Sequence, residues 1–154
     1  MRDLNKKLMI EQLDRKFEKL AVLKDLEISP KAWINAIRTG LNMSLVQLAK
    51  RLKKTSVSVK EIEQREEDKG ITLKKLTEEA EALNCHFVYA FIPKDGSLEK
   101  LIEKRAYKLA EEIVMRTSHP MKLEDQENSE ERIRRAIEDR AGKIKAEMPK
   151  YLWD

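Results

Sequence analysis

A chain of 154 residues with 41% hydrophobic and 39% charged residues is long enough for one ordinary domain and a smaller helical unit. So many charges imply many exposed helix faces. Only four Gly and four Pro are present, which argues against an all-β design, and Leu, Ala, Glu, Lys and Arg are the best helix formers. A single cysteine, Cys85, excludes an intrachain disulfide and a multi-cysteine zinc site; its apolar surroundings predict a buried, inert thiol. The first twenty residues are dense in charge and carry no signal-type apolar core. No apolar run approaches the roughly 18 residues of a membrane span. A cytoplasmic chain with no membrane contact is expected.

The elements follow in order. Leu4, Leu8, Leu13, Phe17 and Leu20 recur at spacings of three to five and predict an amphipathic helix from residue 2 to about 27. Ser29 and Pro30 then predict a helix start, with Ser29 as N-cap and Pro30 at the first helical position. That helix runs to about Thr39 with Trp33, Ile34 and Ile37 inward, and Gly40 ends it. A second helix follows Ser44 with Leu45, Leu48, Ala49 and Leu52. A tight Lys53–Lys54–Thr55 connection leads to a third, from Ser56 to about Gln64, with Val59 and Ile62 inward. Thr72 caps a fourth, carrying Leu73, Leu76, Ala80 and Leu83, and Asn84 stands at its C-terminal end. Cys85–Ile92, rich in aromatic and β-branched residues and closed by Pro93, predicts a strand. With no partner strand elsewhere, pairing with the same strand of a second copy, a homodimer, is expected. Ser97 caps a long helix to about Thr117, and Ser129 caps a last one carrying Ile133, Ile137, Ile144 and Met148. The expected fold is all-α with one short strand, divided into an N-terminal helix (1–28), a central unit (29–93) and a C-terminal helical extension (94–154).

Net charge is +4, and its distribution is uneven. From Arg38 to Lys75 there are ten Lys/Arg against five Asp/Glu, whereas Glu99 to Asp154 holds thirteen of each. The positive excess sits on the central segment, as nucleic-acid binding requires.

Within it, Ser44–Glu66 reads S-L-V-Q-L-A-K-R-L-K-K-T-S-V-S-V-K-E-I-E-Q-R-E. Two short helices crossing steeply need a small residue at the crossing, here Ala49, and apolar inner positions, here Leu48, Leu52, Val59 and Ile62. The second helix needs short polar residues at its N-terminus to enter a major groove, and Thr55, Ser56 and Ser58 fit. The pattern S-L-x-x-L-A-x-R-L … S-x-x-x-V-x-x-I-E resembles the lambda-repressor-like (XRE-type) helix-turn-helix family. One departure stands in the turn, where Lys53 replaces the usual glycine. The resemblance implies a lambda-repressor-like bundle that binds double-stranded DNA. Carried over position by position, it places base contacts on Ser56, Val57, Lys60 and Glu61, and backbone contacts on Ser44, Thr55, Ser58, Gln64 and Arg65. Chemically, Ser56 can bond either type of base edge, Val57 can pack on a thymine methyl, Glu61 can accept from a cytosine amino group, and Lys60 can reach guanine or phosphate. Lys50, Arg51, Lys53, Lys54 and Lys69 would add sequence-independent attraction.

A longer resemblance covers nearly the whole chain. Gln12–Asp14, W-I-x-A-I-R at Trp33–Arg38, I-T-L-K-x-L-x-x-A-E-A-L at Ile71–Leu83, C-x-F-V-Y-A-F-I-P at Cys85–Pro93, H-x-M-x-L-E-D-Q at His119–Gln126 and the terminal L-W-D are similar to the family called mobile mystery protein A. Members are typically encoded beside a Fic-domain protein, which transfers nucleotidyl groups to targets. The resemblance therefore implies an antitoxin-like, autoregulating partner of a Fic-domain protein. The alternative is a protein-interaction module that restrains the Fic partner and carries a vestigial helix-turn-helix; Lys53 in the turn and the acids Glu61 and Glu63 favour it. Thr77-x-x-x-Glu81-Ala82 approaches a known Fic-inhibitory motif but lacks its last residue. His119, Glu124, Asp125 and Glu127 contain a single histidine and more simply make an interhelical turn anchored by Met121 and Leu123. No phosphate loop or nucleophile motif is present, so no enzyme activity and no cofactor are expected.

Overall fold

Helix-forming composition is realised almost throughout. The computed structural model describes residues 2–118 and 126–154, and among these it has seven α-helices. They are α1 (Arg2–Leu20), α2 (Ala32–Gly40), α3 (Leu45–Leu52), α4 (Ser56–Glu67), α5 (Leu73–Ala82), α6 (Leu98–Ser118) and α7 (Gln126–Glu147). Short 3-10 turns span Ala21–Asp25 and Lys150–Trp153. No described helix is long and apolar enough to cross a membrane. His119–Asp125, with most of the histidine–carboxylate block, lie outside the described residues, as does the side chain of Glu127.

The expected strand at Cys85–Ile92 is not formed, and no strand occurs among the described residues. Among the described residues, no amide from His86 to Ile92 donates a backbone hydrogen bond. A strand is held by its ladder, and this chain provides no neighbour to build one. Val88, Tyr89 and Phe91 are exposed, the last at 85%.

Two helix starts also differ from expectation. Ser29 and Pro30 do not open α2; it begins at Ala32, with no side-chain cap from Lys31. The last helix begins at Gln126 rather than after Ser129. Glutamates flank Ser129, and their helix propensity carries the chain through it.

Contacts divide the chain into two compact units, Asp25–Ala90 and the combination of Met1–Lys24 with Phe91–Asp154. α1 thus groups with α6 and α7. In that second unit, Ala106 and Ala110 on α6 are fully buried with Ile102, Val114, Ile137, Ile144 and Leu152. Two alanines four residues apart lie on one helix face and let α7 approach closely. The terminal 3-10 turn brings Leu152 into this core, and Arg105 holds it there: its Nε donates to the Leu152 carbonyl at 2.6 Å and its Nη2 to the Asp154 carbonyl.

Asp14 of α1 closes the start of α6. Its Oδ1 accepts from the Leu98 amide at 2.7 Å and its Oδ2 from the Glu99 amide at 3.1 Å. Ser97 adds a local cap, its Oγ accepting from the Lys100 amide at 3.1 Å. The first turn of α6, which has unpaired N–H groups and the positive end of the helix dipole, is thereby closed by a carboxylate from α1. Asp14→Ala should lower stability to chemical denaturation by about 1 kcal/mol, whereas Asp14→Asn keeps an acceptor and should lose less. Equal stability of Asp14→Ala and the parent chain would contradict this cap.

Candidate nucleic-acid interface

The unit Asp25–Ala90 is built on Ile34, Leu48, Ala49, Val59, Ile62 and Leu83, with Ile37, Met43, Leu45, Leu52, Ile71, Leu76, Ala82 and Cys85 packed against them. Ala49 is buried on α3 beside Leu48, and α3 and α4 pack on one another. Each helix start is capped. Ser44 forms a reciprocal capping box on α3, its Oγ accepting from the Gln47 amide at 3.1 Å while Gln47 Oε1 accepts from the Ser44 amide at 2.8 Å. Thr55 caps α4, its Oγ1 accepting from the Ser58 amide at 3.1 Å, and Thr72 caps α5 in the same way through Lys75. Asn84 is left-handed at the end of α5, where the Cys85 amide reaches back to the Ala80 carbonyl at 2.8 Å.

The connection between α3 and α4 needs one left-handed residue. Lys53 supplies it, with φ 55° and ψ 43°. Its amide bonds the Lys50 carbonyl at 3.2 Å, and the Lys54 amide bonds the Ala49 carbonyl at 2.9 Å, closing α3. A side chain at this position costs about 1 kcal/mol relative to unstrained backbone, so lysine is tolerated where glycine would be easiest.

Helix α4 has two unlike faces. Val59, Ile62, Glu63 and Glu66 are buried, following the i, i+3, i+4, i+7 pattern of one helical stripe. Both carboxylates grip α2. Glu66 Oε1 accepts from the Trp33 amide and Oε2 from the Ile34 amide, each at 2.9 Å. This carboxylate caps α2 in place of Ser29 and satisfies the amides following Ala32, which enters the helix with a left-handed φ of 62°. Glu63 pairs with Arg38 Nε at 2.5 Å and accepts from Asn35 Nδ2 at 2.9 Å. Arg38 Nη1 continues to the Met43 carbonyl at 2.9 Å. The acid at 63 is thus an internal strut. The periodicity carries the only sequence signal for it: the apolar stripe of α4 runs on into Glu63 and Glu66.

The other face of α4 is open. Val57 is 66% exposed at the first turn, and Lys60, Glu61, Gln64 and Arg65 are exposed along the same helix. Gln64 Nε2 contacts both Asp68 carboxylate oxygens, at 3.2 and 3.3 Å. Ser56 and Ser58 are half-buried, while Thr55 and Ser44 are exposed with their oxygens engaged in capping. Lys50, Arg51, Lys53 and Lys69 are exposed around it. Lys54 departs from this set. Its ammonium is buried and lies 4.0 Å from carboxylate oxygens of Glu78 and Glu79. Burial raises the Glu79 carboxyl above its ordinary range, opposed by Lys54 and Lys75; the Lys54 ammonium in turn lowers Lys75.

Among the described residues, no group of three or more His, Cys, Asp or Glu side chains is placed to hold a metal ion. No family model matches the chain, and neither the curated proteins nor the solved structures hold a match to it.

Lys53→Gly should raise resistance to chemical denaturation by about 0.5–1 kcal/mol, because glycine takes the left-handed conformation without a Cβ clash. A loss of stability on this substitution would show that the lysine stem contributes more than its backbone conformation costs.

Proposed function

We propose that α3 and α4 form a helix-turn-helix of the lambda-repressor type that binds double-stranded DNA sequence-specifically, with α4 as the helix that enters the major groove. The observation that carries this reading is the division of α4. Its inner face is consumed by the core and by the two struts to α2. Its outer face leaves Val57, Lys60, Glu61, Gln64 and Arg65 open beside four exposed basic residues. An exposed valine in the first turn of a helix is costly in water and useful against a thymine methyl. Ser56, Lys60 and Glu61 would supply the directional contacts, and Lys50, Arg51, Lys53 and Arg65 the phosphate attraction.

The vestigial alternative rested on Lys53 and on the acids at 61 and 63. Lys53 adopts the conformation the turn needs, and Glu63 is turned inward to Arg38. Only Glu61 remains on the open face. In keeping with the family resemblance, the same chain is proposed to regulate its own operon and to partner a Fic-domain protein without catalytic activity of its own. An electrophoretic shift with a duplex from the gene's own promoter tests the DNA reading. A shift is expected, weakened by the double change Ser56→Ala and Lys60→Ala. Absence of any shift at low salt would end this reading and leave the protein-interaction module in its place.

A homodimer would present two α4 helices to two half-sites. The largely exposed run from His86 to Ile92 carries no Lys, Arg, Asp or Glu, so an antiparallel copy of itself brings no like charges together. Sedimentation at micromolar concentration should therefore give a dimer that Val88→Asp dissociates. A strict monomer would remove the paired strand from the proposal.

A further inference from the structure

Lys54 directly precedes the N-cap of the helix proposed to read DNA, yet its ammonium is buried, and the sequence-independent attraction expected of it does not account for that placement. Two anchors hold this residue. At the backbone, its amide bonds the Ala49 carbonyl at 2.9 Å as α3 closes. At the tip, its Nζ lies 4.0 Å from Glu79 Oε1 and 4.0 Å from Glu78 Oε2. Glu79 is completely buried on α5, and neither its two oxygens nor Lys54 Nζ has a hydrogen-bond partner. An isolated charge in such a place is prohibitively costly, so each of these two persists because the other is present. Every charged group facing Glu79 belongs to the same unit: Lys54 from the turn, Lys75 and Glu78 from α5, and Glu63 from α4.

We propose that Lys54 and Glu79 form a buried charge pair that positions the turn before α4, so that Lys54 acts on DNA binding through Glu79 and not by contacting a phosphate. The inference rests on the DNA-binding reading of α4. Thr55 follows Lys54 directly, and its extended backbone sets the direction in which Ser56 and Val57 leave the turn. Pulling Lys54 inward to α5 therefore ties the first turn of α4 to the helix that packs on α3. Lys54 and Glu79 are positioning residues, and Lys54 adds nothing to the charge presented to DNA.

A phosphate ligand and a positioning residue differ in salt dependence. Each phosphate contact contributes a slope of about 0.9 to the fall of log affinity with log salt concentration. In the full chain, Lys54→Met should weaken binding to the promoter duplex several-fold and leave that slope unchanged. Lys50→Gln, as a control for an exposed cation, should lower the slope by about 0.9. A reduction of the same size in Lys54→Met would overturn the proposal. Thermal unfolding supplies a readout independent of DNA. Lys54→Met and Glu79→Gln should each lower Tm, and the double variant should lose less than the two losses combined. Additive losses, or no loss in either variant, would also overturn it. If a single variant fails to fold, Lys54→Met combined with Glu79→Met leaves no orphaned charge and should fold with the parent salt slope. A chain that binds no DNA at all defeats the DNA reading, while the unfolding cycle still decides whether the pair exists.

Discussion

The central unit depends on two carboxylates of α4 that cross the core to hold α2. Glu66 closes the start of α2 and Glu63 pairs with Arg38, whose guanidinium also ties down the Met43 carbonyl ahead of α3. Removing either acid would leave buried donors without acceptors, which costs about 1–3 kcal/mol for each group orphaned. Because the same helix offers its opposite face to solvent, the contacts that stabilise the fold also orient the proposed DNA surface. Rigid orientation matters here, since hydrogen bonds to base edges tolerate only small displacements of the reading helix.

These internal pairs change how the local charge should be understood. Arg38 and Lys54 belong to the basic excess of the central segment, yet both turn inward onto carboxylates. The exposed cations around α4 are Lys50, Arg51, Lys53, Lys60, Arg65 and Lys69. The field that would attract DNA is therefore smaller than composition implies, and it is concentrated on the open side of α3, the turn and α4. Glu61 and Glu67 share that surface and would repel phosphate, which favours a specific, closely fitted complex over indiscriminate electrostatic adhesion.

The unit formed by α1, α6, α7 and the C-terminal turn uses related devices for a different purpose. Asp14 caps α6 from a distant part of the chain, and Arg105 gathers the terminal carbonyls. Lys145 bridges Glu99 and Glu103, whose carboxylates hold its ammonium above the ordinary lysine range. That bridge is largely exposed and contributes little beside the buried alanine seam of α6. Here, as in the central unit, residues far apart in sequence satisfy helix ends that local capping leaves open.

Much of this was legible in the residue order, because local chemistry suffices for it. Ser44, Thr72 and Ser97 cap the helices expected of them, and the apolar spacing of Leu48, Ala49, Val59 and Ile62 places them in one core. The open face of Val57, Lys60, Glu61, Gln64 and Arg65 follows from the same periodicity. Where long-range partners decide, residue order was a poor guide. Cys85–Ile92 has the composition of a strand and no ladder to join; α2 starts at Ala32 because Glu66 is there to cap it; Lys54 looks like a phosphate ligand until Glu79 is seen to hold it. The helix beginning at Ser56 and the residues it turns outward are determined by sequence alone, through caps and period. Which charges stay exposed and which brace the fold was decided only by tertiary structure, because a charge is paired by neighbours in space and spacing along the chain does not record them.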